Sequence, residues 1–218
     1  MWLIPYLLAL LYPSKCAFCG ALIEKKCRGC CEKCEKNLPF TKNGGKQSGN
    51  FFTVSLSPLY YEREVRDALL RYKFQRMSAY CEPFGILMAD CVSAYLENQV
   101  DIVTWVPLSG KRLKKRGFDQ SQLLAETMAQ ELWLPCKPVL EKTVHTAQQS
   151  RTGSAEKRRA NVSGAYQVRD KSLVSGKTVL LIDDIVTTGA TFSECARMLG
   201  MAGAERVYCA ALARKRDD

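Results

Sequence analysis

Along this chain the apolar positions follow two periods in turn. From Phe51, "FFTVSLSPLYY" is β-prone, and "EREVRDALLRYKF" then places Val65, Ala68, Leu69 and Tyr72 at helical spacing. Further on, "PFGILMADCVSAYL" predicts a helix, "DIVTWVPL" a buried strand, "SQLLAETMAQEL" a helix, "KTVLLIDD" a buried strand, "TFSECARMLGMAG" a helix and "RVYCAALA" a strand. Apolar strands that alternate with helices imply an α/β fold, with a mainly parallel sheet covered by helices on both faces. Ligands of such sheets sit at the carboxyl ends of the strands. Two segments lie there. One follows Leu108 as "SGKRLKKRGFDQS" and reads as a loop; the other follows a strand from Thr178 to Ile182 and runs from Asp183 to Thr191.

The second of these loops carries the clearest chemistry. Thr187, Thr188, Gly189, Ala190 and Thr191 supply backbone N–H groups, three hydroxyls and little bulk just before a predicted helix. Those are the requirements of a phosphate monoester: donors, close approach and a favourable helix dipole. Asp183 and Asp184 would repel a phosphate held in the same pocket. A simple strand-to-helix turn has no reason to place two carboxylates at its mouth, so the pair marks the loop as a binding site rather than a plain turn.

The N-terminal part has a different character. "MWLIPYLLALLYPSKC" is apolar but lacks a basic leading region and an A-x-A-like cleavage site, and it is too short to span a bilayer; Trp2 to Leu11 is expected to form a short amphipathic or buried helix. Eleven cysteines without an export signal point to the cytoplasm, where clustered thiols more often bind metal than form disulfides. Six of them crowd into "CAFCGALIEKKCRGCCEKC". Paired C-x2-C knuckles are a zinc signature, because each presents two thiolates to one tetrahedral ion. Cys16 and Cys19 form the first knuckle, and either Cys27 with Cys30 or Cys31 with Cys34 forms the second. His145, the single histidine, is far away in sequence, so the site is expected to be all-thiolate. The isolated Cys81, Cys91, Cys136, Cys195 and Cys209 read as core residues. "TKNGGKQSGN" reads as a linker or loose hairpin tip, which divides the chain into 1–50, an N-terminal helix and zinc ribbon, and 51–218, the α/β domain.

Composition excludes a disordered or fibrous protein, with 47% apolar and 25% charged residues among 218. The net charge of +10 favours anionic partners: phosphorylated metabolites, nucleic acid or an acidic protein. Its densest runs are "KRLKKR" at Lys111 to Arg116 and "EKRR" at Glu156 to Arg159.

These residues carry a resemblance. "VLLIDDIVTTGAT" is similar to the phosphoribosyl-pyrophosphate (PRPP) binding motif of type I phosphoribosyltransferases. With "CAFCG", "CEKCEKNLP", "LLRYKF", "VPLSGKRLKKRGFDQSQLLA" and "RRANVSGAY", the chain resembles the ComF family, bacterial proteins with a phosphoribosyltransferase-like domain and an N-terminal zinc ribbon. The resemblance implies structural Zn2+ on Cys16, Cys19, Cys31 and Cys34, since the family's second knuckle is followed by Leu-Pro, here Leu38-Pro39. It implies Asp183 and Asp184 on the ribose hydroxyls, directly or near Mg2+, and Thr187 to Thr191 around the 5'-phosphate. Ser109, Gly110, Lys111 and Arg112 stand where the pyrophosphate loop should be, with Arg116 offsetting the leaving-group charge. "HTAQQSRTGSAEKRRANV", between the strand-like "VLEKT" and "AYQV", resembles a mobile loop, with Arg151 and Arg158 reaching pyrophosphate and His145 a solvated loop residue. Ser109 and Asp119 stand where the family usually has histidine and asparagine; Asp119 adds a negative charge near the pyrophosphate loop, or pairs with Arg116. Two functions follow from the resemblance. One is phosphoribosyl transfer from Mg-PRPP to an unidentified acceptor; the other is a non-catalytic competence role in DNA uptake, with single-stranded DNA and a helicase-like partner.

Overall fold

The computed structural model describes residues 14–24, 27, 29–96, 99–143 and 164–216. The predicted helix from Trp2 to Leu11 lies outside the described residues, as do His145, Arg151 and Arg158.

The strands are β1 (Val54–Leu56), β2 (Leu59–Tyr60), β3 (Ile102–Trp105), β4 (Leu140–Lys142), β5 (Tyr166–Val168), β6 (Thr178–Val186) and β7 (Arg206–Arg214). The main sheet runs β1-β7-β6-β3, with β2 also on β7, and every pair is parallel. β1 and β2 share one register along β7, since Val54 faces Tyr208 and Leu59 faces Ala213. They act as a single edge strand interrupted at Pro58, which lacks an N–H and is tolerated only at an edge. On the other edge Cys136 makes a parallel bridge to Val103. β4 and β5 form a separate antiparallel pair.

The helices are α1 (Glu32–Asn37), α2 (Arg63–Phe74), α3 (Cys81–Tyr95), α4 (Gly110–Arg116), α5 (Gln120–Glu131) and α6 (Ala190–Met201). One face of the sheet packs Leu180, Ile182 and Leu212 against Leu69 and Tyr72 of α2, Phe84 and Met88 of α3, and Leu124 and Met128 of α5. The other packs Leu181, Cys209 and Ala211 against Phe192, Cys195 and Leu199 of α6 and Tyr166 of β5. Burial on both faces is why β6 reads as an unbroken apolar run. The strand pleat then sends Asp184 to the α2 side and Asp183 to the β4–β5 side. Among the described residues no helix is long and apolar enough to cross a membrane.

Two local expectations are corrected. The segment after Leu108 is not all loop, because Gly110–Arg116 is helical. Its straight-chain Lys, Arg and Leu residues favour a helix, Gly117 at φ 86 ends it, and Lys114, Lys115 and Arg116 sit in the last turn, where cations suit the helix dipole. With Leu113 as its sole apolar side chain, it offered no periodicity to read. Strand β6 also runs past Ile182 to Val186, since Ile185 and Val186 pair with Ala213 and Arg214.

The polar stretch before β1 is held rather than loose. Thr41 Oγ1 donates to Ser57 O at 2.6 Å, Ser57 N donates to Gly44 O at 2.8 Å, and Gln47 bridges Ser55. Gly44 lies at φ +65, and a Cβ there would fall 2.5 Å from the Tyr95 ring, so the position requires glycine. The cysteine-rich segment is anchored too. Phe18 packs on Phe84 with ring centroids 5.5 Å apart, and Arg71 donates to the carbonyls of Ala17 and Phe18 at 3.0 and 2.7 Å. Residues on both sides of position 50 therefore share one core.

Candidate functional site

The N-terminal thiols converge. Sγ atoms of Cys16, Cys19, Cys31 and Cys34 all lie within 4.8 Å of one another, while Cys27 and Cys30 stand outside the group. The Cys19–Cys31 separation is 3.7 Å, close to the ~3.8 Å edge of a tetrahedron with Zn–S bonds of about 2.3 Å. Backbone N–H groups point at the sulfurs, Cys31 N at Cys16 Sγ and Cys34 N at Cys31 Sγ, each at 3.4 Å. Burial works to raise the Cys16 thiol, but N–H groups of Cys19, Cys31 and Phe18 outweigh it and bring it down to about 6. Burial and the neighbouring thiolates push Cys30 up to about 12. The four-cysteine donor set, its spacing and the thiolate-stabilising N–H groups all fit a zinc ion.

At the carboxyl end of the sheet the two acids differ. Asp184 is 5% exposed and its Oδ1 lies 2.8 Å from Lys73 Nζ of α2, itself largely buried. Asp183 Oδ1 accepts from Ser121 Oγ at 2.9 Å and from Asp184 N at 2.8 Å. Among the described residues nothing bonds to its Oδ2. Burial first, and then the charge of Asp184, push Asp183 up to about 7, against the Asp184 N–H, Lys73 and Ser121. One carboxylate has a counter-ion; the other is held by donors and keeps an open oxygen.

Asp183 and Thr187 to Thr191 line one cavity of about 30 Å³. Thr187 and Thr188 are exposed, Gly189 at φ 69 caps α6, and Thr188 Oγ1 accepts from Ala190 N at 3.5 Å. The left-handed cap lets the chain turn sharply from β6 into α6 and leaves the first N–H groups of a twelve-residue helix facing the cavity. Asp184 belongs to the other side of β6.

Pairing of Trp105 with Ile182 sets the turn after β3 beside the acids. Ser109, buried, precedes α4; Gly110 and the exposed Lys111 open it, and Arg112 is half-buried. Arg116 sets its guanidinium 5.1 Å over the Phe74 ring, within electrostatic reach of Asp184, Asp119 and Asp183.

Asp119 does not pair with Arg116. It caps α5, its Oδ1 accepting from Ser121 N at 3.0 Å and Gln122 N at 3.3 Å, while Oδ2 accepts from Leu108 N at 2.8 Å. Backbone donors thereby tie the β3 turn to the helix carrying Ser121, while burial first, and the charge of Asp184, hold the Asp119 carboxyl above the usual aspartate range against those donors. Asp119→Ala is expected to lower unfolding stability by about 1–2 kcal/mol, the cost of a lost helix cap, measured by denaturant titration. Asp119→Asn should cost less, since its one carbonyl oxygen still caps α5.

Three side chains at this end carried no signal in the linear pattern: Lys73, Ser121 and Lys142. Lys142, half-buried on β4, donates to Tyr166 OH at 3.0 Å. Burial first, and then the charge of Arg112, hold its amine below the usual lysine range. "LLRYKF" contained Lys73, but only the packing of α2 on the sheet brings it to Asp184.

Comparison with known proteins agrees with this architecture. Residues 119–218 match the phosphoribosyl transferase domain family. The chain is 30% identical over 203 residues to competence protein ComFC of Streptococcus pneumoniae, covering 91% of this chain and 87% of that protein. It is 24% identical over 223 residues to competence protein F of Haemophilus influenzae, covering 92% and 96%. With DNA utilization protein YhgH of Escherichia coli O157:H7 it is 36% identical over 117 residues, 52% of this chain and about half (49%) of that relative's length. A parallel sheet flanked by helices, four clustered cysteines and near full-length similarity to a ComFC protein place the chain in the ComF family, with a type I phosphoribosyltransferase-like domain.

Proposed function

We propose that the chain binds Mg2+-PRPP or a closely related sugar phosphate and transfers its phosphoribosyl group to an acceptor. The observation that carries this reading is the single cavity formed by Asp183 and Thr187 to Thr191 at the carboxyl end of β6. The threonine loop and the α6 N-terminus take the 5'-phosphate. Asp183 accepts from a ribose hydroxyl through its open oxygen, and Asp184, on the other side of β6, is held by Lys73 and adds its charge to the site. Mg2+ fits a site whose free donor is a carboxylate oxygen, and the chemistry it supplies when bound is neutralisation of pyrophosphate charge. Ser109, Gly110, Lys111 and Arg112 face the leaving group. Transfer passes through an oxocarbenium-like state, so the protein acts mainly by positioning and by charge stabilisation. Cys16, Cys19, Cys31 and Cys34 hold a structural Zn2+.

Relatives named for competence and DNA utilization support a second reading, a role in DNA uptake through single-stranded DNA and a helicase-like partner. Calorimetry of the zinc-loaded protein with Mg2+-PRPP and with ribose 5-phosphate separates the two. Heat on PRPP addition is expected; its absence rejects the sugar-phosphate reading. On the second reading, DNA affinity falls steeply with salt and with charge reversal at Lys114, Lys115 and Arg116.

A further inference from the structure

A cleft lined by basic residues and Phe74 lies between α2 and α4. Arg112, Lys115 and Arg116 stand at i, i+3 and i+4 of α4 and so share one helix face. That face meets the end of α2, where Lys73, Phe74 and Arg76 complete a cleft of about 110 Å³. Lys73 has its counter-ion in Asp184. Arg76, Arg112 and Lys115 have no ion-pair partner among the described residues. Phe74 carries the Arg116 guanidinium over its ring and still leaves 58% of its surface exposed.

Two features distinguish this cleft from an ordinary solvated basic face. Its cations converge on a concave space, and they surround an aromatic ring left out of the core that its neighbour Tyr72 fills completely. Inorganic phosphate or pyrophosphate uses the cations but has no use for the ring. A nucleobase uses the ring and the guanidinium plane as a stacking platform, while its phosphate meets the unpaired cations through charge-assisted hydrogen bonds. A volume of this size suits one phosphate group, with the base lying along the exposed side of Phe74.

We propose that this cleft binds a nucleotide unit, with the base against Phe74 and the phosphate among Arg76, Arg112 and Lys115. Lys73 belongs both to the cleft and to the Asp184 ion pair, so the nucleotide lies next to the sugar-phosphate pocket. Its role as the second ligand of that pocket rests on the reading given above; its binding does not.

The test is calorimetry on the full-length, zinc-loaded protein with deoxyadenosine 5'-monophosphate, a short oligodeoxyadenylate, inorganic phosphate and Mg2+-PRPP. The wild type is expected to bind both adenylates more tightly than inorganic phosphate. Phe74→Ala, and Phe74→Leu, which keeps apolar bulk without a π face, should each weaken the adenylates about ten-fold and leave inorganic phosphate and PRPP unchanged. Lys115→Glu should weaken the adenylates and inorganic phosphate alike. Tighter binding of the oligonucleotide assigns the unit to a single strand, and tighter binding of the monophosphate to a free nucleotide; either supports the cleft. Adenylates that bind no better than phosphate, or that are indifferent to both Phe74 variants, overturn it. A wild type that binds adenylate but not PRPP rejects the sugar-phosphate reading and leaves the cleft standing.

Discussion

Replacing Asp183 and Asp184 together by asparagine is expected to weaken Mg2+-PRPP binding by on the order of 100-fold, because the charged acceptor of Asp183 and the Lys73–Asp184 ion pair behind it are lost at once. The single variants should not behave alike. Asp184→Asn removes the counter-ion of a largely buried lysine, Lys73, and should lower the unfolding temperature as well as affinity. Asp183→Asn removes a carboxylate that burial and Asp184 disfavour. Its folded-state pKa, raised from 3.8 to about 7, means that the folded protein holds this proton more tightly than the unfolded chain. Linkage then makes Asp183 cost stability as pH rises from about 4 through about 7, so Asp183→Asn should leave stability at neutral pH equal or higher while affinity falls. The same shift gives wild-type PRPP binding a pH dependence, strengthening through about pH 7 as Asp183 ionises. Calorimetry across that range, with thermal unfolding of each variant in parallel, checks all of this. Wild-type affinity in Asp183→Asn would reject the role given to this carboxylate.

Removal of zinc is the second large effect expected. Chelation, or Cys16→Ser or Cys34→Ser, should lower the unfolding temperature by on the order of 10 °C, because a structural zinc site contributes its binding energy to folding. The consequence reaches beyond the ribbon. Cys16, Ala17 and Phe18 are buried in the core that holds Phe84, Tyr72 and Leu69, and the Arg71 contacts to the Ala17 and Phe18 carbonyls depend on the same fold. Zinc content measured with a colorimetric chelator should be one ion per chain in the wild type. It should be lost in Cys34→Ser and kept in Cys27→Ser and Cys30→Ser. Loss of zinc in either of the last two would assign the second knuckle to the other pair.

The outcome at Asp119 shows what a linear reading misses. In the linear pattern Asp119 is an added negative charge beside the basic segment after Leu108. The carboxylate instead acts as a structural tie, accepting from three backbone N–H groups, two of them at the start of α5 and one in the preceding turn. Similarly, the basic run after Leu108 read as loop because helix periodicity needs several apolar positions and α4 has one, Leu113. Its straight-chain residues still make a helix once Gly117 can close it.

What the sequence alone determined is whatever a few neighbouring residues decide. Strand and helix alternation defined the α/β class, because side-chain periods of two and 3.6 are local properties. C-x2-C spacing marked the metal-type cluster, and the Thr-Thr-Gly-Ala-Thr run marked an anion loop, since donors, small size and a left-handed glycine are contained within one turn. Tertiary structure decided which residues meet. Only the packed sheet brings Lys73 of α2 to Asp184 and Ser121 of α5 to Asp183, the latter pair 62 residues apart. The folded ribbon gathers Cys31 and Cys34, rather than Cys27 and Cys30, with Cys16 and Cys19. The inequivalence of the two aspartates belongs to the same level, because the strand pleat turns adjacent side chains to opposite faces, and what waits on each face comes from distant parts of the chain.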